Sequence, residues 1–329
     1  MQSSTQILWQ QYLEDFLSSK PKKPLIVLLG TTASGKTNLS IRIAKYLESQ
    51  KRSAEVINGD SRQCYKYLDV GTAKITSEEM QGVLHHLLDV LDPKQECTIS
   101  WYATEATKAI DAIHARGNLP MLVGGSMLYI SSIIDGLQSM TASDPAIRKR
   151  LSDEYDLDQG VALYAKLLKV DPESVAIIPR QNKVYLLRAL EIFETTGKPK
   201  SAQKSKSSCP YDLLILGVEA DPEVLRVRIN DRTAAMLKLG WVEEVRLLLE
   251  RGYTAEDPGM KSHGYREVIA SIKSVETPRG GVSADIVPKT LQRSVSTDLC
   301  EKIASQIRRY AKRQRTWWRG DERIRWIKI

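Results

Sequence analysis

A buried apolar run that stops at a glycine and resumes six residues later as a Lys-Thr-led helix leaves a chain few ways to fold. Residues 24–45 read PLIVLLGTTASGKTNLSIRIAK. The unbroken apolar character of PLIVLLG is that of a strand covered on both faces. KTNLSIRIAKYLESQ then repeats apolar residues at helical spacing. Between them, GTTASGKT fits the phosphate-loop pattern G-x-x-x-x-G-K-[ST]. Gly30 and Gly35 let the amides of Thr32, Ala33 and Ser34 curl around an anion, and the helix start aims its positive end at the same place. Lys36 can reach terminal phosphate oxygens, and Thr37 is placed to ligate Mg²⁺. A kinase or nucleotide hydrolase would add a strand-end aspartate for the metal. LLDVLD, residues 87–92, is the nearest match and an imperfect one. The loop therefore predicts a pyrophosphate-like ligand without supporting nucleotide hydrolysis.

Strand and helix patterns alternate through residue 136. SAEVIN, HHLLDVLDP and LPMLVGG read as further strands, and SWYATEATKAIDAIHARGN as a helix stopped at Gly117. This alternation predicts an α/β fold, a phosphate-loop-type parallel sheet flanked by helices. Ligands of such sheets gather at the carboxyl ends of the strands. Gly30, Asp60 and the Gly124-Gly125-Ser126 turn all fall at such ends, so they are expected on one rim. Asp60 could accept a proton there, although an Asp-Ser pair after a strand is also a routine turn.

Residues 137–209 carry helical patterns only and read as an all-helical insertion domain. Within it, KPKSAQKSKSSCP reads as a mobile loop. The core is assigned to 24–136 and 210–329, resuming with the strand YDLLILGVEA and continuing as helices, two of them broken near Gly240. Residues 1–23 read as a helical extension and a Lys/Pro tether.

The 329 residues are 42% hydrophobic and 27% charged, ample for a core. No apolar run could span a bilayer, and the N-terminus lacks the apolar centre of a signal peptide. Cys64, Cys97, Cys209 and Cys300 are far apart in sequence and read as reduced thiols of a cytoplasmic protein. His85 and His86 are expected on opposite sides of a strand, one packed and one exposed. The net charge is +8. Residues 308–325, RRYAKRQRTWWRGDERIR, interleave cations with Tyr310, Trp317 and Trp318, a nucleic-acid footprint.

Taken in order, GTTASGKT, GDSRQCYKYLDVGTAK, HHLLDVLDP, LVGGSMLYI, LLRALEIFETTGKP, HGYREV and YAKRQRTWWRG resemble the tRNA dimethylallyltransferases, also called tRNA isopentenyltransferases. The similarity runs from about residue 24 to about 327. It implies transfer of the five-carbon group of dimethylallyl diphosphate to N6 of the adenosine at tRNA position 37, 3′ of the anticodon. Diphosphate leaves, which accounts for the missing metal-binding aspartate.

By the resemblance, Asp60 is the catalytic base or N6-orienting group. Ser126 stands where most members have threonine. Arg232 is a second cation for the diphosphate, and Arg148 a site residue on the insertion. Ser61, Arg62 and Gln63 would read the flipped base and its neighbours. Arg188, Lys261, His263, Gly264, Tyr265, Arg266, Lys312, Arg313, Gln314 and Trp317 would hold tRNA, with Tyr265, Trp317 and Arg313 offering the stacking that single-stranded RNA favours. Tyr185 and Ile307 depart from the family pattern and bring individual RNA contacts into question.

The competing readings are an adenylate isopentenyltransferase acting on free AMP, ADP or ATP, a small-molecule kinase, and an RNA-binding module with an idle loop. The first would need neither the insertion nor the basic aromatic tail. A monomer is the default expectation.

Overall fold

The computed structural model describes residues 4–136, 144–203, 209–276 and 289–329. The chain forms two compact units, one from residues up to 134 together with 209 onward, the other from residues 135–208. The first unit opens with α1 (Ser4–Ser18), β1 (Pro24–Gly30) and α2 (Lys36–Ser49). Next come β2 (Ala54–Gly59), the single turn α3 (Ser77–Met80) and the short β3 (His85–His86). Then α4 (Ile99–Ala115), β4 (Leu119–Gly124) and α5 (Met127–Ile134) follow.

The second unit holds α6 (Pro145–Asp158), α7 (Val161–Val170), α8 (Pro172–Val175) and α9 (Lys183–Thr196). Its own core is built from Leu151, Leu163, Leu167, Leu186 and Leu190. The KPKSAQKSKSSCP stretch contributes a 3₁₀ turn at Ser201–Gln203, and residues 204–208, the middle of the expected mobile loop, lie outside the described residues.

The first unit resumes with β5 (Asp212–Glu219), α10 (Pro222–Lys238) and α11 (Trp241–Glu250). It ends with α12 (Tyr265–Glu276), α13 (Lys289–Trp318) and β6 (Ile324–Lys328). Gly240, at φ 101°, takes the left-handed conformation between α10 and α11 that a side chain resists.

The six strands lie in the order β3-β2-β4-β1-β5-β6, and every pair is parallel. β1 is central, with Leu28 paired to Val123 on one side and Leu216 on the other. Its alternate residues feed two cores. Ile26 and Leu28 pack with Trp9, Leu39 and Leu47 of α1 and α2. Leu25, Val27 and Leu29 pack with Tyr102 and Ile110 of α4 and with Ile130 and Ile133 of α5. Each such side chain, fully buried, contributes about 1.5–3 kcal/mol, which accounts for the unbroken apolar run of this strand. Parallel register then brings the ends of β1, β2 and β4 to one rim. Gly59 and Gly124 are register partners, and a β-carbon on Gly124 would overlap the Gly59 backbone. Glycine at both places lets the two following turns lie side by side.

Two strand assignments need correction. The third strand is only His85–His86, because the backbone turns at Leu87 and Asp89, both at positive φ. Both histidines are half-buried, and His86 Nε2 lies 2.6 Å from Glu55 Oε2. The C-terminal part is also not wholly helical, since β6 extends the sheet beyond β5. Its Ile324 and Ile327 are buried, but the interspersed Arg323, Arg325 and Lys328 read as a continuation of the basic tail. Among the described residues, no helix is long and apolar enough to cross a membrane.

Candidate functional site

The phosphate loop is assembled by local strain that only its sequence permits. Gly30 has φ 154° and meets the Val218 carbonyl where a β-carbon would sit, Ala33 is left-handed at φ 61°, and Gly35 is left-handed at φ 95°. Ser34 N–H closes on Thr31 O at 3.3 Å. α2 starts at Lys36, so its unpaired amides face the turn. Lys36 Nζ donates to Thr31 O at 2.5 Å, keeping the ammonium against the loop. Burial pushes the Lys36 pKa down to about 8; Asp60 opposes that shift and Arg232 reinforces it. Thr37 is exposed one position further on.

The Asp60 turn follows β2. Buried Asn58 organises it, accepting Asp60 N–H at 3.0 Å and donating to Asp60 O at 2.9 Å and Leu87 O at 3.1 Å. Asp60 Oδ1 accepts Arg62 N–H at 2.9 Å, which fixes the carboxylate and leaves its other oxygen for a ligand. Ser126, buried after β4, accepts Ser61 N–H at 2.9 Å through Oγ, and its hydroxyl lies 3.2 Å from Ser61 Oγ.

These turns open into a cavity of about 250 Å³. Thr32, Asp60, Ser61, Arg62, Ser126 and Arg232 give it polar walls, while Ala33, Met127, Ile229, Met236 and Ile307 give it apolar ones. Ile307 is thus part of the cavity wall, where the sequence reading had connected it with an RNA contact. His263 and Tyr310 also line the cavity, their rings 4.9 Å apart. Burial, with Arg62 and Arg313 nearby, lowers the His263 pKa and so favours the neutral imidazole. Burial pushes Tyr310 up to about 12.

Glu244 of α11 is a supporting residue that sequence reasoning missed. Its carboxylate accepts the N–H groups of Asp69, Val70 and Gly71 at 2.8, 2.6 and 3.1 Å and the Tyr265 hydroxyl at 2.7 Å. It thereby holds the loop that supplies Gly71, Thr72 and Ala73 to the cavity. Gln63 braces the same loop, donating to Thr72 O and Ala73 O at 3.1 and 3.2 Å, and Arg232 Nη2 reaches Ala73 O at 3.4 Å. Nothing in the spacing of Glu244 separates it from the other glutamates of α11. Asn58, sitting two residues before Asp60, could have been suspected as a turn former.

The residues expected to grip RNA do not all face solvent. Lys261, Arg266, Lys312, Arg313 and Trp317 are exposed on the first unit. Tyr265 is fully buried with its ring 5.6 Å from that of Trp241 and its hydroxyl on Glu244, so it has no face to offer a base. Gly264 is buried against Trp241. Gln314 is 1% exposed and uses both ends of its amide inside the protein, which removes it from the RNA-contacting set. Trp318 is buried in the core beside α5, unlike its neighbour. Arg148 and Arg188 belong to the second unit, where Arg188 pairs with buried Glu191 at 2.9 Å. The cysteines are not all remote from one another: Cys64 and Cys97 share a hydrogen bond, which together with burial pushes the Cys64 thiol up. Among the described residues, no three His, Cys, Asp or Glu side chains form a metal cluster.

An anion cradle, two cations and a fixed carboxylate, converging on a partly apolar cavity at the carboxyl edge of a parallel sheet, define a group-transfer enzyme of the phosphate-loop type. A family model described as IPP transferase matches residues 63–321. The chain belongs to that family. It is 38% identical over 309 residues to a tRNA dimethylallyltransferase of Geobacter sulfurreducens, covering 93% of this chain and 92% of the relative. It is 37% identical over 309 residues to one of Bacillus subtilis, covering 93% and 91%. The full-length tRNA isopentenylpyrophosphate transferase of Bacillus halodurans superposes with a TM-score of 0.64 at 34% identity, over 93% of this chain and 90% of that one. A eukaryotic dimethylallyltransferase acting on tRNA gives 0.74 at 27% identity, over 93% and 74%.

Proposed function

We propose that the protein transfers the dimethylallyl group of dimethylallyl diphosphate to N6 of the adenosine at tRNA position 37, releasing diphosphate. The observation that carries this reading is the opening of the phosphate turn and of Asp60 into one cavity with apolar walls. That cavity offers a hydrocarbon group a place between its leaving group and its acceptor. The relatives named as tRNA dimethylallyltransferases supply the acceptor.

The chemistry follows from the charges. An adenine N6 amine is a weak nucleophile, so the allylic C–O bond must be weakened by stabilising the charge that collects on diphosphate. Lys36, Arg232 and the amides at the start of α2 are placed to do that. Asp60 holds the N6 amine by one N–H and takes its proton as the N6–C bond forms and the C–O bond breaks. The exposed Thr37 hydroxyl beside Lys36 suits Mg²⁺, which takes few protein ligands and most of its shell from phosphate oxygens and water. Mg²⁺ there would add positive charge to the leaving group. Exposed Lys312, Arg313 and Trp317 would bear on the RNA, and the roles of Arg148 and Arg188 rest on the family resemblance.

The test is to supply the protein with Mg²⁺, labelled dimethylallyl diphosphate and either unmodified tRNA or AMP. Label on tRNA is expected. Label on AMP alone would instead identify an adenylate isopentenyltransferase, and ATP consumption without label transfer would identify a kinase.

A further inference from the structure

One residue ties the phosphate loop to the rest of the site, and it lies in the stretch where sequence points to RNA. Gln314 sits on α13 among Lys312, Arg313 and Arg315, yet it is 1% exposed. Its Oε1 accepts the N–H of Thr32, inside the phosphate loop, at 2.9 Å. Its Nε2 donates to the carbonyl of Gly125, one residue before Ser126, at 2.7 Å. The assignment of the two amide ends is forced, because a backbone N–H can only donate and a carbonyl can only accept. A β-carbon on Gly125 would overlap Nε2, so the glycine is what admits the amide.

We propose that Gln314 is a positioning residue that sets the distance between the diphosphate cradle and the acceptor-side turns. From Gly125 the connection continues through Ser126 Oγ to Ser61 N–H, beside Asp60. The leaving-group and proton-accepting sides of the cavity are thereby joined through two side chains, of which Gln314 comes from 282 residues along the chain from Thr32. Only an amide fits the place. Glutamate has no donor for Gly125 O, lysine and arginine have no acceptor for Thr32 N–H, and apolar residues leave Thr32 N–H without this partner and Gly125 O with only the longer bond from the Tyr310 hydroxyl at 3.4 Å. Transfer chemistry is sensitive to such spacing, since a misplacement of roughly 1 Å costs on the order of 10²-fold in rate.

The inference rests on the proposed prenyl transfer, and the experiment separates the two. Wild-type, Gln314→Met, Gln314→Glu and Gly125→Ala proteins are compared for kcat, for KM of dimethylallyl diphosphate and of tRNA, and for thermal midpoint. Gln314→Met, similar in shape and lacking both hydrogen bonds, is expected to lower kcat/KM for the diphosphate by about 10–100-fold with tRNA KM unchanged. Gly125→Ala, which displaces the same amide, is expected to reproduce that split. In Gln314→Glu the carboxylate cannot donate to Gly125 O but the carboxylic acid can, so its activity relative to wild type should rise as pH falls from 8 to 5.5. A wild-type protein that labels no tRNA would overturn the proposed function. An active wild type whose Gln314→Met variant keeps wild-type kinetics, or changes only tRNA KM, would overturn the positioning role alone. If Gln314→Met does not fold, a flat relative pH profile for Gln314→Glu overturns it equally.

Discussion

Ser126 Oγ accepts the backbone N–H of Ser61 at 2.9 Å, binding the turn after β4 to the turn that carries Asp60. The bond is made by a buried hydroxyl to the amide of a half-buried residue that lines the cavity, so its loss is felt twice, in stability and in geometry. Ser126→Ala should cost about 0.5–1.5 kcal/mol, the net value of one intramolecular hydrogen bond, and lower kcat without weakening tRNA binding. Ser126→Thr keeps the oxygen and should retain most of the activity. Urea unfolding and steady-state kinetics on the same preparations check both.

Asp60 can be tested without disturbing its turn. Asparagine retains an oxygen to accept Arg62 N–H, so Asp60→Asn should fold as wild type. It removes the proposed proton acceptor, and the single-turnover rate at saturating substrates should fall by about 10²–10⁴-fold, the usual contribution of a general base. Weakened tRNA binding with an unchanged bound-state rate would remove Asp60 from the chemistry.

Lys36 gives the site a pH dependence with a definite sign. Its pKa in the folded protein is about 8, against 10.5 as the unperturbed value. In the proposed reaction the charged form holds diphosphate, so kcat/KM for dimethylallyl diphosphate should decline above about pH 8, while kcat at saturating donor holds to higher pH. The stability sign is the opposite of an ion pair's. Between about 8 and 10.5 the unfolded chain binds more protons than the folded one, so this residue's burial cost is fully present below 8 and is relieved as pH rises. Lys36→Met should therefore raise the thermal midpoint at pH 7 and abolish donor binding, which calorimetry and donor titration together can check.

Glu244 holds three backbone amides and a tyrosine hydroxyl, four donors on one carboxylate. Glu244→Gln turns an NH₂ group toward some of them. A loss of about 2–3 kcal/mol is expected, in the range for hydrogen bonds to a charged group, read from the urea midpoint. Activity should fall with it, because the loop supplying Gly71, Thr72 and Ala73 is released.

Two aromatic residues of the first unit should behave in opposite ways toward RNA. Trp317 is 45% exposed among cations, whereas Tyr265 is fully buried. Trp317→Ala should weaken tRNA binding by about 1–3 kcal/mol, the value of one base-stacking ring, and Tyr265→Phe should leave it unchanged. Binding by wild type should also weaken steeply with added salt, as phosphate contacts release counterions. Fluorescence anisotropy with an anticodon stem-loop measures all three.

How far the chain could be interpreted before its structure depended on whether a feature is local. The phosphate loop was legible because its strand, glycines and helix start are contiguous, and each is a local steric or hydrogen-bonding requirement. The convergence of Gly30, Asp60 and Ser126 was also legible, since a parallel sheet sends every strand's carboxyl end to the same edge. β6 was hidden because an edge strand of five residues with charges between its isoleucines has no period that separates it from a basic tail. Tyr265, Gln314 and Glu244 were beyond sequence for a different reason. Composition marks the types of side chain that suit RNA, but which of them face solvent is decided by helix packing. Gln314 lies between two exposed cations and turns inward, and its partners are Thr32 and Gly125. The sequence by itself determined the phosphate loop and the sheet that carries it. The tertiary structure decided which polar groups support that site and which are left to meet the RNA, because a side chain's partners depend on packing between segments distant in sequence.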